Sequence, residues 1–340
     1  MNDSIYLVTY YRADSGFNLY GCKFDIENLK IESPRILKNY YQNIGRPGGH
    51  FINVNGNIIR IVQPATKFYG EQIDFYRINF NEVDYSEEKI SEFNQQYGNY
   101  ILYEYQEVDY KWNMNTLLDV TLVKQKERPI LNEGIQYMKQ VLFDDYSDEF
   151  KKKYFPFKIL IADSVQVAKS GSVSKDESAE GGLSFLAVGK IRSGISTIAS
   201  DSLLKLKGEV QATLWARFLY NNEMLQLPEA FWSISDEYYG VNLKTIDGNS
   251  SLKPDEINAK KYGFWDRNRA ADSGVSYCMA PDKTLDIYQF IQMIVTHTAD
   301  EMKELMEGHD KLKDKYYLLI NQVRDVYGVD IQAIGNSKSH

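Results

Sequence analysis

Histidine is almost missing from this chain. The four present are His50, His297, His309 and His340; none is followed by Glu, and no two stand four residues apart. A single-chain zinc hydrolase presents two imidazoles one helical turn apart with a glutamate beside them, so no HExxH pair is available to a catalytic metal. Cysteine is scarcer still. Cys22 and Cys278 are too far apart for a CxxC element, and two cysteines cannot staple a chain this long, so packing must hold it together. No run of about 18 apolar residues is present, which argues against a spanning helix. An excess of basic charge is lacking as well: a net charge of −8 and a pI near 5.2 argue against a nucleic-acid partner, which needs a basic face. The one basic run, Lys151 to Lys153, reads as a solvated helix end. The opening MNDSIYLVTYYRAD has neither the basic n-region nor the apolar h-region of a signal peptide. Leu19 to Cys22 has the shape of a lipid-attachment box, but Arg12 and Asp14 lie where its apolar stretch belongs, so Cys22 is expected inside a strand. There is no GxSxG elbow. Gly48-Gly49 and Gly181-Gly182 precede strands rather than helices, so neither cradles phosphate.

What is present is an ordinary core-forming composition, 43% hydrophobic and 25% charged, enough for one large domain or two smaller ones. The first 82 residues read as a β-meander. Short β-branched or aromatic runs, Ile5–Tyr11, Asn18–Asp25, His50–Val54, Ile58–Val62 and Gln72–Ile78, are separated by Gly, Pro and Asn. Asn55-Gly56 between two apolar runs is a two-residue hairpin signal, because both turn positions need positive φ.

From Ser86 the pattern changes. A helix is expected over Ser86–Tyr97, a strand over Tyr100–Tyr110, a helix over Glu133–Phe143 and a charged turn over Asp144–Lys153. Pro156 then stops the helical pattern, and FKILIAD, Phe157–Asp163, reads as a central strand. Val165–Val173 and Leu183–Ile191 form a second pair of strands, joined by the polar loop Ser174–Gly182. Leu206, Val210, Leu214 and Phe218 recur every four residues, so Leu203–Met224 is predicted to be the central buried helix. Two more helices are predicted over Thr284–Met306 and Asp310–Tyr327 as an antiparallel pair broken at Gly308. Ile287, Phe290, Ile291, Ile294 and Val295 form one stripe, and Leu312, Tyr316, Leu319, Val323 and Val326 the other. The fold class expected is α+β, with a mixed sheet and a helical C-terminal half behind the β-meander.

Two stretches carry resemblances. Arg46 to Ile78, RPGGHFINVNGNIIRIVQPATKFYGEQIDFYRI, resembles one blade motif of the five-bladed propellers found in glycoside hydrolases and related sugar-processing proteins. Five further segments occur in order: SEFNQQYGNYILYEYQEVDY, EFKKKYFPFKILIADSV, ESAEGGLSFLAVGKI, LPEAFWSISDEYY and GVSYCMAPDKTLDIYQF. Together they resemble the substrate-import-associated zinc metallohydrolase (zinc-binding metallopeptidase) lipoproteins of Bacteroidetes over about residues 86–335. The resemblance implies a zincin-like domain over 86–335, preceded by the meander over 1–82. It also implies a zinc cofactor, a periplasmic or cell-surface location, and partners among outer-membrane import components or a glycan or peptide.

The departures from that pattern decide the functional expectation. Where the family has HExxH ahead of an LPEAF-like segment, this chain has Trp215-Ala216-Arg217-Phe218-Leu219 or, one residue later, a frame ending at Tyr220. Neither register supplies His or Glu. The family's downstream EDFAE-like motif falls on Leu285-Asp286-Ile287-Tyr288-Gln289, where Asp286 matches but the final carboxylate is the amide Gln289, a poor substitute for a charged ligand. No residue is therefore assigned to catalysis or to metal, and the zinc implied by resemblance lacks its ligands. Arg217, Tyr220 and Glu223 are candidate ligand contacts in the emptied cleft, with an Arg217–Glu223 salt bridge or a solvent-facing Arg217 as the structural reading. Trp215, Tyr220, Trp232, Tyr238, Tyr239 and Trp265 could stack on a sugar or could be core. His297 is expected to be a partly buried structural residue. Three functions stand side by side: a catalytically inactive metallopeptidase relative serving as a binding or accessory protein of a nutrient import system, an active hydrolase with ligands from unexpected positions, and a carbohydrate-binding protein whose meander carries the function.

Overall fold

A computed structural model describes the strands within residues 5–78 by their backbone. It describes residues 93–111 (Val108 by its backbone alone), 119–168, 174–246, 248, 252–271 and 277–337. The chain divides into two compact units, Met1–Ser91 and Glu92–His340.

The first unit holds two antiparallel sheets. Strands β1 (Ile5–Ala13), β2 (Gly16–Asp25) and β3 (Lys30–Tyr40) form one, in the order β1-β2-β3. Cys22 lies inside β2 opposite Leu7, as expected of a strand residue, whereas β3 was not anticipated. The second sheet is built from β4 (Arg46–Pro47), β5 (Ile52–Val54), β6 (Asn57–Gln63) and β7 (Asp74–Ile78), all but β6 pairing with β6. The hairpin expected at Asn55-Gly56 has its strands in the register Val54↔Asn57.

The second unit is α+β, with a mixed six-stranded sheet and a helical C-terminal half. Its spine is β10 (Lys158–Ala168), which extends the expected FKILIAD strand through what had been read as the start of the next. The first half of β10 lies between two parallel neighbours, β8 (Tyr100–Leu102) and β13 (Phe185–Val188). Its second half lies between two antiparallel ones, β9 (Asp119–Lys124) and β11 (Lys175–Glu177). Ile159 through Ala162 are fully buried, which is why this strand reads as an unbroken apolar run rather than an alternating one. The polar segment 174–182 is not a loop: it supplies β11 and the short strand β12 (Ala179–Gly181), which pairs antiparallel with β13. Polar composition misled there because these strands are held by side-chain bonds as well as by the ladder. Tyr100–Tyr110 is likewise only a three-residue strand, after which the chain turns.

One of those bond networks holds a strained residue. Lys190 has φ +63°, a conformation that disfavours a side chain with a Cβ. Its ammonium bonds the Asp176 carboxylate at 2.5 Å, and Arg192, Ser164 and the Val165 amide bond the same carboxylate. Burial pushes the Asp176 pKa up, but these donors outweigh it and hold the group at about 2.

Among the described residues, after a helical stretch at 93–97, the α-helices are α1 (Arg128–Met138, continuing as a π-helical turn through Phe143), α2 (Asp148–Tyr154) and α3 (Ser200–Ala212, continuing as a π-helical segment Thr213–Tyr220). Short α4 (Glu229–Ser233) and α5 (Leu243–Ile246) follow. Then come α6 (Lys283–Thr296), α7 (Ala299–Leu305), α8 (Asp310–Tyr327) and α9 (Ile331–Asn336). In the predicted central helix, Val210, Leu214 and Phe218 are buried and Leu206 is half-buried. Lys151 departs from the solvated reading of its run: it is buried at 8% exposure, its ammonium 4.8 Å from the Tyr97 ring centre. No helix among the described residues is long and apolar enough to cross a membrane.

The C-terminal half differs from the predicted helix pair. The first helix breaks at His297 because Thr298 and Glu301 form a capping box that starts α7. Gly308, at φ +74°, breaks the chain before α8 as predicted. Asp286 at the start of α6 meets Lys315 near the start of α8, which is a crossing rather than an antiparallel hairpin. On α8, Val326 is exposed and Tyr327 takes its place in the core. α6 instead packs against α3 and α9 at glycines. A Cβ on Gly208 would stand 2.6 Å from Thr296 Cγ2, and one on Gly335 would stand 2.1 Å from the Ile294 carbonyl oxygen and 2.3 Å from that of His297.

Two outcomes follow. Gly335→Ala should lower unfolding free energy in urea by about 3 kcal/mol, because backbone oxygens cannot yield as side-chain ends do. Asp176, with its native pKa below the unfolded 3.8, contributes stability that is present above pH 4 and lost as pH falls towards 2. Acid denaturation midpoints at closely spaced pH values should show that loss in the wild-type chain and a flatter profile in Asp176→Asn.

Candidate functional site

The central helix lies against the sheet through β12. A Cβ on Gly181 would stand 3.2 Å from the Arg217 carbonyl carbon and from the Phe218 nitrogen, so the strand rides directly on helix backbone. That approach brings Glu180, 1% exposed, onto Arg217, and the two form an ion pair at 2.5 Å. The Arg217 guanidinium also lies 5.2 Å from the centre of the Tyr288 ring on α6. Burial pushes the Glu180 carboxyl up, and Arg217 and the Gly181 amide pull it partly back. The sequence-level pairing of Arg217 with Glu223 is therefore corrected. Glu223 is exposed, at φ +60°, beyond the end of the π-helical segment.

The other positions of the two candidate registers are committed elsewhere. Trp215 is fully buried; its indole N–H donates to the Tyr146 hydroxyl at 2.7 Å, and its ring lies against Phe150 and Tyr327. Ala216 and Leu219 are fully buried. Only Arg217 and Tyr220 of the six residues from Trp215 to Tyr220 are more than marginally exposed. Thr284 and Tyr288 of α6 cover this face, with the Thr284 hydroxyl donating to Asn221 Oδ1 at 2.8 Å.

Gln289 ties down a loop. Its Oε1 accepts from the Asp266 amide at 3.2 Å while its Nε2 points to the Arg267 carbonyl at 3.5 Å. A carboxylate there would face that carbonyl with like charge. Asp286 is buried without exposure; its Oδ2 accepts from Lys315 Nζ at 2.5 Å and from the Tyr239 hydroxyl at 2.6 Å, and its Oδ1 has no hydrogen-bond partner. The Lys315 ammonium is enclosed by the rings of Phe231, Phe264 and Phe290, at 4.6, 5.0 and 5.2 Å. Desolvation pushes the Asp286 carboxyl up and the Lys315 amine down, each offset in part by the other's charge.

Lys315 and Glu180 were missed by sequence reasoning. A signal for Lys315 existed: it stands three residues after Leu312 and four before Leu319, on the apolar stripe itself. Glu180 had none, since its role depends on which helix β12 touches. Of the aromatic candidates, Trp215, Trp232 and Trp265 are buried at 9% exposure or less, and Tyr220, Trp232 and Tyr239 come together. His297 is half-buried, as expected; its Nδ1 lies 2.9 Å from the Met293 carbonyl, which can only accept, so that nitrogen carries the proton. His50 and His340 lie outside the described residues.

No protein-family model and no curated protein matches the chain. Among solved structures it is similar to the crystal structure of a "putative zinc-binding metallo-peptidase" from Bacteroides caccae. The likeness has 12% identity and a TM-score of 0.46, over 76% of this chain and 94% of that one. At that level it carries no residue across. The zinc implied by the sequence resemblance does not fit the residues present: the expected donor positions hold indole, methyl, isobutyl or phenol groups and an amide already bonded, with a methyl or a guanidinium where a base belongs. Among the described residues, no group of three or more His, Cys, Asp or Glu side chains is placed to hold a metal.

The Asp286–Lys315 pair sets a test. Lys315→Met should destabilise by about 3–5 kcal/mol in urea denaturation, because it strands a buried carboxylate, whereas Lys315→Met combined with Asp286→Leu should recover most of that loss.

Proposed function

We propose that this chain is a catalytically inactive relative of zinc metallopeptidases that serves as a binding or accessory protein for a glycan or peptide in a nutrient import system. The observation that supports the reading is the Arg217–Glu180 ion pair, a fixed cation within the segment that the sequence resemblance sets against the family's HExxH. A guanidinium cannot accept a proton from water near neutral pH, and it repels a divalent cation. Bulk water, with a pKa near 15.7, becomes a usable nucleophile near pH 7 only when a metal lowers that value to about 7. Holding such a metal takes about three protein ligands with one position open. The import role and the periplasmic or cell-surface setting rest on the sequence resemblance alone.

Protein purified without chelator should contain no stoichiometric zinc by elemental analysis and should not hydrolyse peptides. About one zinc per chain, lost on mutating His297 or His309, would show that a different metal site exists and would favour the active-hydrolase reading.

A further inference from the structure

Three rings form a continuous wall beside the central helix. Tyr220 ends the π-helical segment, Trp232 lies in α4 and Tyr239 follows it. The Tyr220 and Trp232 centroids are 5.5 Å apart, and those of Trp232 and Tyr239 are 6.1 Å apart. Tyr239 is pinned from behind by its bond to Asp286, and Tyr220 and Tyr239 are half-buried. In front of the wall, the ammonium of exposed Lys283 sits 5.0 Å from the Trp232 centroid and 5.8 Å from that of Tyr239. Two of the three rings, Trp232 and Tyr239, therefore already hold a cation, supplied by an exposed side chain at the first position of α6, with Tyr220 adjoining them through Trp232. Negative charge lies at the rim: Asp282 is exposed next to Lys283, and its field, with burial as the larger cause and Asp286 behind it, raises the Tyr220 pKa.

Aromatic faces carry negative quadrupole potential, and several of them around one point recognise ammonium groups. A lysine with four rotatable bonds and an exposed stem is a replaceable occupant. We infer that Tyr220, Trp232 and Tyr239 form a binding site for an alkylammonium group of the kind borne by a lysine or N-methylated lysine side chain of a peptide, with Lys283 as its resident placeholder. The inference builds on the non-catalytic reading above and narrows its ligand to a cationic one. A placeholder scales apparent affinity by the fraction of time it leaves the site free, so removing it exposes the site without touching the wall.

The test uses the full chain and tetramethylammonium as the probe, followed by tryptophan fluorescence, with tert-butanol as a neutral compound of similar shape and sodium chloride as the ionic-strength control. Lys283→Ala should bind tetramethylammonium saturably and severalfold more tightly than the wild-type chain. Adding Tyr220→Leu to Lys283→Ala should weaken that binding severalfold while circular dichroism stays unchanged. An equal response to tert-butanol, or no saturable response in Lys283→Ala, would overturn the site. The outcome is separable from the zinc measurement. A zinc-containing chain that still binds tetramethylammonium would sink only the non-catalytic reading, and a zinc-free chain that does not would sink only the ammonium site.

Discussion

A lysine and an aspartate with no exposure at all must stay together, and much of the helical half is arranged so that they do. Taking either charge out of water alone costs several kcal/mol, so Lys315 and Asp286 constrain every element that touches them. α8 is fixed against the start of α6; Phe231 and Tyr239 place the α4 segment against the pair; Phe264 brings in the stretch before α6. Ser235 completes the enclosure at 3.3 Å from the ammonium. Such a pair often adds less to stability than apolar packing of similar volume would, but losing either partner strands a buried charge.

The same logic operates at lower stringency between sheet and central helix. β12 approaches helix backbone closely because Gly181 has no side chain, and the approach leaves Glu180 nowhere to go but onto Arg217. The outward-facing part of the helix is then occupied by an ion pair backed by Tyr288 and by the Thr284–Asn221 contact. The ligand site proposed above lies at its end, where Tyr220 meets Trp232 and Tyr239.

Legibility varied with the range of the interactions involved. The apolar faces of the central helix and of α6, the buried FKILIAD strand and the break at Gly308 could all be read, because each depends on neighbours within a few residues. The split at His297 was missed although Thr298 and Glu301 carry a capping box, since the apolar stripe up to Val295 suggested one longer helix. The strands in 174–182 were hidden by polar composition, because Asp176 is held by Lys190, Arg192 and Ser164 rather than by apolar burial.

The sequence by itself determined that these residues hold no HExxH motif, since no two histidines stand four apart. It also determined where the central helix and strand lie, since hydrophobic period is a property of local chain geometry. Only the tertiary structure decided which charges meet. Glu180 with Arg217 and Asp286 with Lys315 are separated by 37 and 29 residues, and ion pairing at such separations follows from helix crossing and strand register, which no local pattern encodes.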